Sequence, residues 1–100
     1  MRVEGAATMS PGSTKLVVIE GTEVALVRDD FGDFHAIGDT CTHGAVSLSD
    51  GEVEGRTIEC WLHGSTFDLV TGRPLCLPAT VPVPVFTATV DGTDVLVELN

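Results

Sequence analysis

The sequence predicts an all-β chain, a small antiparallel β-sandwich or partly open barrel with a subdomain inserted between its framework strands. Three observations carry this. Turn signals recur at short intervals, β-branched runs fill the spaces between them, and no window shows the 3.6-residue apolar stripe of an amphipathic helix.

Each element follows from local residues. Pro11-Gly12 closes the N-terminal segment, and residues 15–20 (KLVVIE) read as the first strand. Glu20-Gly21 turns the chain into residues 23–28 (EVALVR), and Asp29-Asp30 with Gly32-Asp33 turns it again into residues 34–37 (FHAI). Asp50-Gly51 and Glu54-Gly55 precede residues 56–59 (RTIE), another strand, and Thr71-Gly72 marks a further turn. Residues 83–90 and 95–99 flank Asp91-Gly92, a strong hairpin signal. The stretch from 39 to about 80 is richer in Gly, Ser and Thr than its flanks. It reads as the inserted subdomain, with residues 1–38 and 81–100 forming the base of a single domain.

With 100 residues, one domain with a modest core is expected, and a metal staple would help it. An apolar content of 43% is that of a globular chain. The net charge is −10, and only Arg2, Lys15, Arg28, Arg56 and Arg73 are cationic. So few cations cannot build the basic face that nucleic acid requires, and anionic membranes repel the chain. Partners with basic docking surfaces are favoured instead. Three cysteines is an odd number, unlike a secreted disulfide framework. The start MRVEGAATMS lacks an apolar signal-peptide core, and no long hydrophobic run follows. A monomer in a reducing cytoplasm is the expectation.

The chemistry is concentrated in four residues. Cys41 and His43 stand in CTHG, and Cys60 and His63 in CWLHG, so C-x-H is followed by C-x-x-H in two loops that each end in glycine (Gly44, Gly64). Two thiolates and two imidazoles suit two metal atoms with different ligands, as in a [2Fe–2S] cluster where two His replace two Cys on one iron. Imidazole donates less negative charge than thiolate, so the His-bound iron is the easier to reduce. Such imidazoles belong near the surface, where an electron can leave. A structural zinc module is the alternative for this donor set. Zinc patterns, however, pair Cys with Cys and His with His at close spacing.

Three other residues stand near these motifs or share their chemistry. His35 lies in a strand and is given no ligand role. Cys76, between Pro74 and Pro78, reads as a small buried hydrophobe. Trp61 reads equally well as a core residue or an exposed docking anchor.

With these motifs the chain resembles the Rieske-type [2Fe–2S] ferredoxins, electron-transfer components of bacterial aromatic-ring-hydroxylating dioxygenases. The resemblance covers nearly the whole chain: AIGDTCTHG, LSDGEVEG, ECWLHGSTFD, LCLPAT and the terminal VDGTDVLVEL. It implies one Rieske cluster in a cluster-binding subdomain, with Cys41 and Cys60 on one iron and His43 and His63 on the other through Nδ1. Leu77-Pro78-Ala79 would be the proline loop covering the cluster. High-potential Rieske proteins of respiratory complexes carry a disulfide at the positions of Val46 and Leu62, and use a Ser and a Tyr as donors to the sulfurs. Here Ser65 matches the first donor, while Phe67 has no hydroxyl. A potential low in the class range of about −150 to +300 mV is implied, raised somewhat by Ser65.

The implied function is a soluble one-electron carrier in aromatic hydrocarbon catabolism. It would be reduced by a flavin-containing, NAD(P)H-dependent ferredoxin reductase and oxidised by the Rieske centre of a terminal oxygenase. It would not itself be an enzyme, because no 2-His-1-carboxylate set can be assembled beyond the cluster ligands. The tip around His43, His63, Trp61, Leu62 and Pro78 would dock with both partners in turn, with Asp39, Asp50, Glu59 and Asp68 steering the approach. The alternative is the small Rieske-like subunit of an assimilatory nitrite reductase, whose chains commonly lose cluster ligands.

Overall fold

The computed structural model describes residues 1–42, 44–62 and 64–99. Its strands are β1 (Arg2–Val3), β2 (Thr14–Ile19), β3 (Thr22–Arg28), β4 (Phe34–Gly38), β5 (Glu52–Glu54), β6 (Thr57–Glu59), β7 (Thr66–Asp68), β8 (Val85–Asp91) and β9 (Asp94–Glu98). Six form one antiparallel sheet in the order β1-β9-β8-β4-β3-β2, and β5-β6-β7 form a second, smaller one. All-β is therefore the observed class.

The larger sheet curls. Val17 and Ile19 of the edge strand β2 share one apolar cluster with Val3 of β1 and Val95 and Val97 of β9. Strand β3 explains how the two sheets are joined. Its run Val24, Ala25, Leu26, Val27 is buried throughout, as expected of a strand covered on both faces. Val24 and Leu26 face the interior of the curl, while Ala25 and Val27 face a second cluster with Leu48, Ile58, Phe67 and Leu69. Ala36 and Ile37 of β4 divide in the same way. One sheet wall thus serves two cores, and full burial of each large side chain in them contributes about 1.5–3 kcal/mol.

The turns behave as their residues dictate. Ile19 pairs with Thr22, leaving Glu20 (φ 50°) and Gly21 (φ 79°) as a two-residue loop with both φ positive, the geometry that matches strand twist. The sheet starts at Val85 rather than at residue 83, because Pro82 and Pro84 offer no N–H to a ladder. Gly38 N–H instead donates to the Pro84 carbonyl at 2.9 Å. Arg56 lies in the β5–β6 turn, so that strand begins at Thr57. The two- and three-residue strands β1, β5 and β7 are too short to show as periodic runs.

A buried carboxylate fastens the β3–β4 turn to the β5–β6 turn. Asp29 is fully buried; its Oδ1 accepts the Phe31 and Asp33 amides, and its Oδ2 accepts His35 Nε2 at 2.7 Å. Arg56 Nε stands 3.5 Å from the same oxygen, and its guanidinium lies over the Phe31 ring. Asp30 and Gly55 exchange two further hydrogen bonds. Burial pushes the Asp29 carboxyl up, but the bonds from His35, Asp33 and Phe31 outweigh it and hold the group below its ordinary value.

Candidate metal centre

Cys60 directly follows β6, and Cys41 lies three residues beyond the end of β4 at Gly38. The two loops close alike. Cys41 N–H donates to the Val46 carbonyl at 2.9 Å, and Cys60 N–H donates to the Ser65 carbonyl at 2.7 Å, five residues on in both cases. Gly64 takes φ +77°, which glycine adopts without strain. Gly44 is not so constrained, since a Cβ there would only touch Leu62 at 3.5 Å. That approach does bring the two loops into contact.

Both thiols are buried and neither is in a disulfide, and both lie in the cluster formed by Ala25, Val27, Ile37, Leu48, Ile58 and Phe67. The fold therefore gathers Cys41 and Cys60 into one apolar environment without joining them in a disulfide. His43 and His63 lie outside the described residues. Among the described residues, no group of three or more His, Cys, Asp or Glu converges. Two buried thiols in matching loops, brought into one cluster without a disulfide, fit thiolate ligation of an iron–sulfur centre.

A third segment ties these loops together. Ala79 N–H donates to the buried Ser65 Oγ at 3.1 Å, and Thr42 Oγ1 donates to the Val81 carbonyl at 2.6 Å. Cys76 Sγ lies 3.5 Å from the Gly64 carbonyl. Cys76 is exposed, correcting the expectation of a buried hydrophobe; its neighbours Leu75 and Leu77 are exposed as well, so this loop has no core side to receive it. Trp61 and Leu62 are exposed at 55% and 41%, which decides Trp61 for the rim rather than the core.

The expected steering residues divide. Asp50 and Glu59 are exposed and Asp68 is half-buried. Asp39 is buried, a second correction: its Oδ1 accepts Ser49 N–H at 2.9 Å and holds the 3₁₀ turn Leu48–Asp50. His35 binds Asp29, in keeping with a strand histidine outside the centre. Leu75 and Leu77 were not singled out as rim residues in the sequence; the signal was their place beside Cys76 between two prolines.

A model of the Rieske [2Fe-2S] domain matches residues 1–87. The chain belongs to the Rieske [2Fe–2S] domain family. Its cofactor is one Rieske [2Fe–2S] cluster. It is 43% identical over 84 residues to the ferredoxin component of a naphthalene 1,2-dioxygenase system from Pseudomonas aeruginosa, covering 84% of this chain and 80% of that one. It is 40% identical over 97 residues to Ferredoxin CarAc of Metapseudomonas resinovorans, covering 97% and 91%. Among solved structures, a complex of reduced oxygenase and oxidised ferredoxin in carbazole 1,9a-dioxygenase contains a chain 40% identical to this one. That match has a TM-score of 0.88 and covers 98% of this Rieske chain and all of the other. Among the described residues, no helix is long and apolar enough to cross a membrane.

Proposed function

We propose that this Rieske protein is the one-electron carrier of a multicomponent aromatic-ring dioxygenase. It takes electrons from a flavin-containing reductase and delivers them to a terminal oxygenase. When bound, the cluster supplies reversible one-electron chemistry at a potential tuned by its ligands and hydrogen bonds. In this reading Cys41 and Cys60 would hold one iron, and His43 and His63 would hold the other. The buried Cys41 and Cys60 exclude water from the thiolate side. Ser65, whose Oγ accepts Ala79 N–H, would have its own proton to donate to a sulfur of the bound cluster. Residues 39 to about 80 act as the cluster-binding subdomain on a base formed by 1–38 and 81–100. A monomer in the cytoplasm fits the net charge of −10 and cysteines outside any disulfide.

The observation that carries the reading is the pair of matching loops: two buried, unlinked thiols, with exposed Trp61 and Leu62 immediately after one of them. A solvent-facing apolar rim beside the metal site suits brief contact with successive redox partners.

EPR of the dithionite-reduced protein, with iron and sulfide analysis, tests it. A rhombic signal with average g below the free-electron value and about two irons per chain is expected of a mixed His/Cys cluster. An EPR-silent protein holding zinc would overturn the assignment.

A further inference from the structure

The six-stranded sheet has two edges, and they differ. β1 is two residues long, whereas β2 offers six, TKLVVI, with neither proline nor glycine. Which backbone groups of β2 face outward follows from its hairpin. A two-residue loop is closed by a hydrogen-bonded pair, here Ile19 with Thr22, and bonded pairs then alternate with open ones. Val17, Lys15 and Ser13 therefore bond towards β3, and the Arg28 amide donates to the Ser13 carbonyl at 3.0 Å. The amides and carbonyls of Thr14, Leu16 and Val18 point to the open edge. Among the described residues, none of these groups meets a backbone partner. Leu16 and Val18 carry exposed side chains as well. A long apolar edge of this kind templates pairing with another strand.

One residue is out of keeping with the strand. Register sets Lys15 opposite Leu26, and directly paired residues share a face. Leu26, Val17 and Ile19 all enter the cluster inside the curl, so Lys15 stands in their row, on the core side of the sheet. It is exposed and, among the described residues, forms no ion pair. Nothing within the folded chain calls for an ammonium group there.

We propose that Lys15 guards the β2 edge against a second copy of this chain. Apart from Lys15 the strand is complementary to itself, with Leu16 and Val18 on one face and Val17 and Ile19 on the other. A two-fold antiparallel pairing sets the strand against its own copy, so few registers exist. Centred on Leu16, the pairing satisfies Thr14, Leu16 and Val18 and puts Lys15 opposite Val17 of the second copy. Centred on Val17, it puts Lys15 opposite Ile19. Centred on Lys15, it sets the two ammonium groups against each other. Centred on Val18, it would require Leu16 to pair with Glu20, whose φ of 50° belongs to the turn. Every extended ladder therefore takes the ammonium out of water against a buried apolar row, or opposes it to its own charge.

Sedimentation equilibrium of the holo-protein measures association, and hydrogen exchange resolved by residue locates it. K15V removes one positive charge and takes the chain from −10 to −11, so any gain in association runs against net charge. K15V should dimerise at least about a hundredfold more tightly than wild type, about tenfold for each lysine removed from the interface. Its Leu16 and Val18 amides should become protected as concentration rises, while those of wild type keep exchanging. K15V/V18K restores the composition and charge of wild type but moves the lysine to the outer face, where pairing leaves it in water. It too should associate more tightly than wild type. Wild type should stay monomeric at about 1 M salt, where repulsion between copies is screened beyond about 3 Å. No proposed cluster ligand lies on β2, so each variant should keep the visible absorption of the cluster, which shows it folded. A K15V as dissociated as wild type, or one whose association leaves Leu16 and Val18 exchanging freely, would overturn the guard. So would a wild type that pairs through β2 once salt is raised, because net charge would then be what keeps the copies apart. None of these outcomes bears on the carrier reading.

Discussion

Ser65 and Ala79 join the second cysteine loop to the third segment by one buried hydrogen bond, with the Ala79 amide donating to Ser65 Oγ at 3.1 Å. The bond occupies a lone pair of the hydroxyl and orients its proton away from the amide.

With a cluster sulfur as acceptor, that proton stabilises the reduced, more negative state. Ser65→Ala should therefore lower the reduction potential. One hydrogen bond of about 1 kcal/mol corresponds to roughly 40 mV for a one-electron couple. Loss of the acceptor for Ala79 N–H should also reduce stability by about 1–3 kcal/mol. Protein-film voltammetry and thermal unfolding measure the two effects separately. An unchanged potential in a destabilised variant would leave Ser65 with a structural role alone.

Asp29 makes a different prediction, because its role is to fasten two turns. Its carboxyl sits below its ordinary value in the folded chain, so its stabilisation is present above the unfolded value near 3.9 and is lost as pH falls through the folded one. Asp29→Asn should cost about 1–3 kcal/mol at neutral pH, since it places an amide where His35 and Arg56 meet a carboxylate. The gap between wild type and variant should narrow below about pH 4. Urea unfolding at a series of pH values checks this; a gap that widened in acid would contradict the sign.

The sequence made the framework legible because each strand had a period or a turn to mark it. β2, β3, β4, β8 and β9 follow from β-branched runs between Gly- and Asp-rich turns. Of the three-residue strands only β6 was marked, by the β-branched pair Thr57-Ile58 after a glycine turn; β5 and β7 carry no such mark and became visible only through their pairing with β6. Motif spacing singled out Cys41 and Cys60, and the fold brings both into one buried cluster. The places of Asp39 and Cys76 were not legible, for opposite reasons. Asp39 is a charged residue whose carboxylate is taken inside by the Ser49 amide ten residues on, and Cys76 is a small apolar residue on a segment whose core contacts are made by Ala79 and Val83. His35 could not be paired with Asp29 from the chain alone, because a turn must first fold them together.

The exposure of Cys76 against the burial of Cys41 and Cys60 is directly measurable. Iodoacetamide on the native holo-protein should add one group, at Cys76, with iron content unchanged. After unfolding and iron removal all three cysteines should react. Intact-mass spectrometry before and after unfolding reads both states. Rapid modification of more than one thiol in the native protein would show the cysteine loops to be open.

Removal of one proposed ligand separates the contribution of the metal from that of the core. Cys60→Ser leaves an oxygen in an apolar cluster with Ile58 and Phe67, and takes a thiolate from the proposed iron site. Metal binding and loop order are coupled, so the variant should be purified without iron and without the visible absorption of the cluster. Backbone protection should be lost across 39–80, where the chain depends on the cysteine loops. The β3–β4 wall should keep its protection, because Val24 and Leu26 are buried on the other face against β9. Hydrogen exchange resolved by residue distinguishes the two regions. Full protection in the iron-free variant would mean that Leu48, Ile58, Phe67 and Leu69 suffice to hold the loops, and that the cluster enters a site already formed.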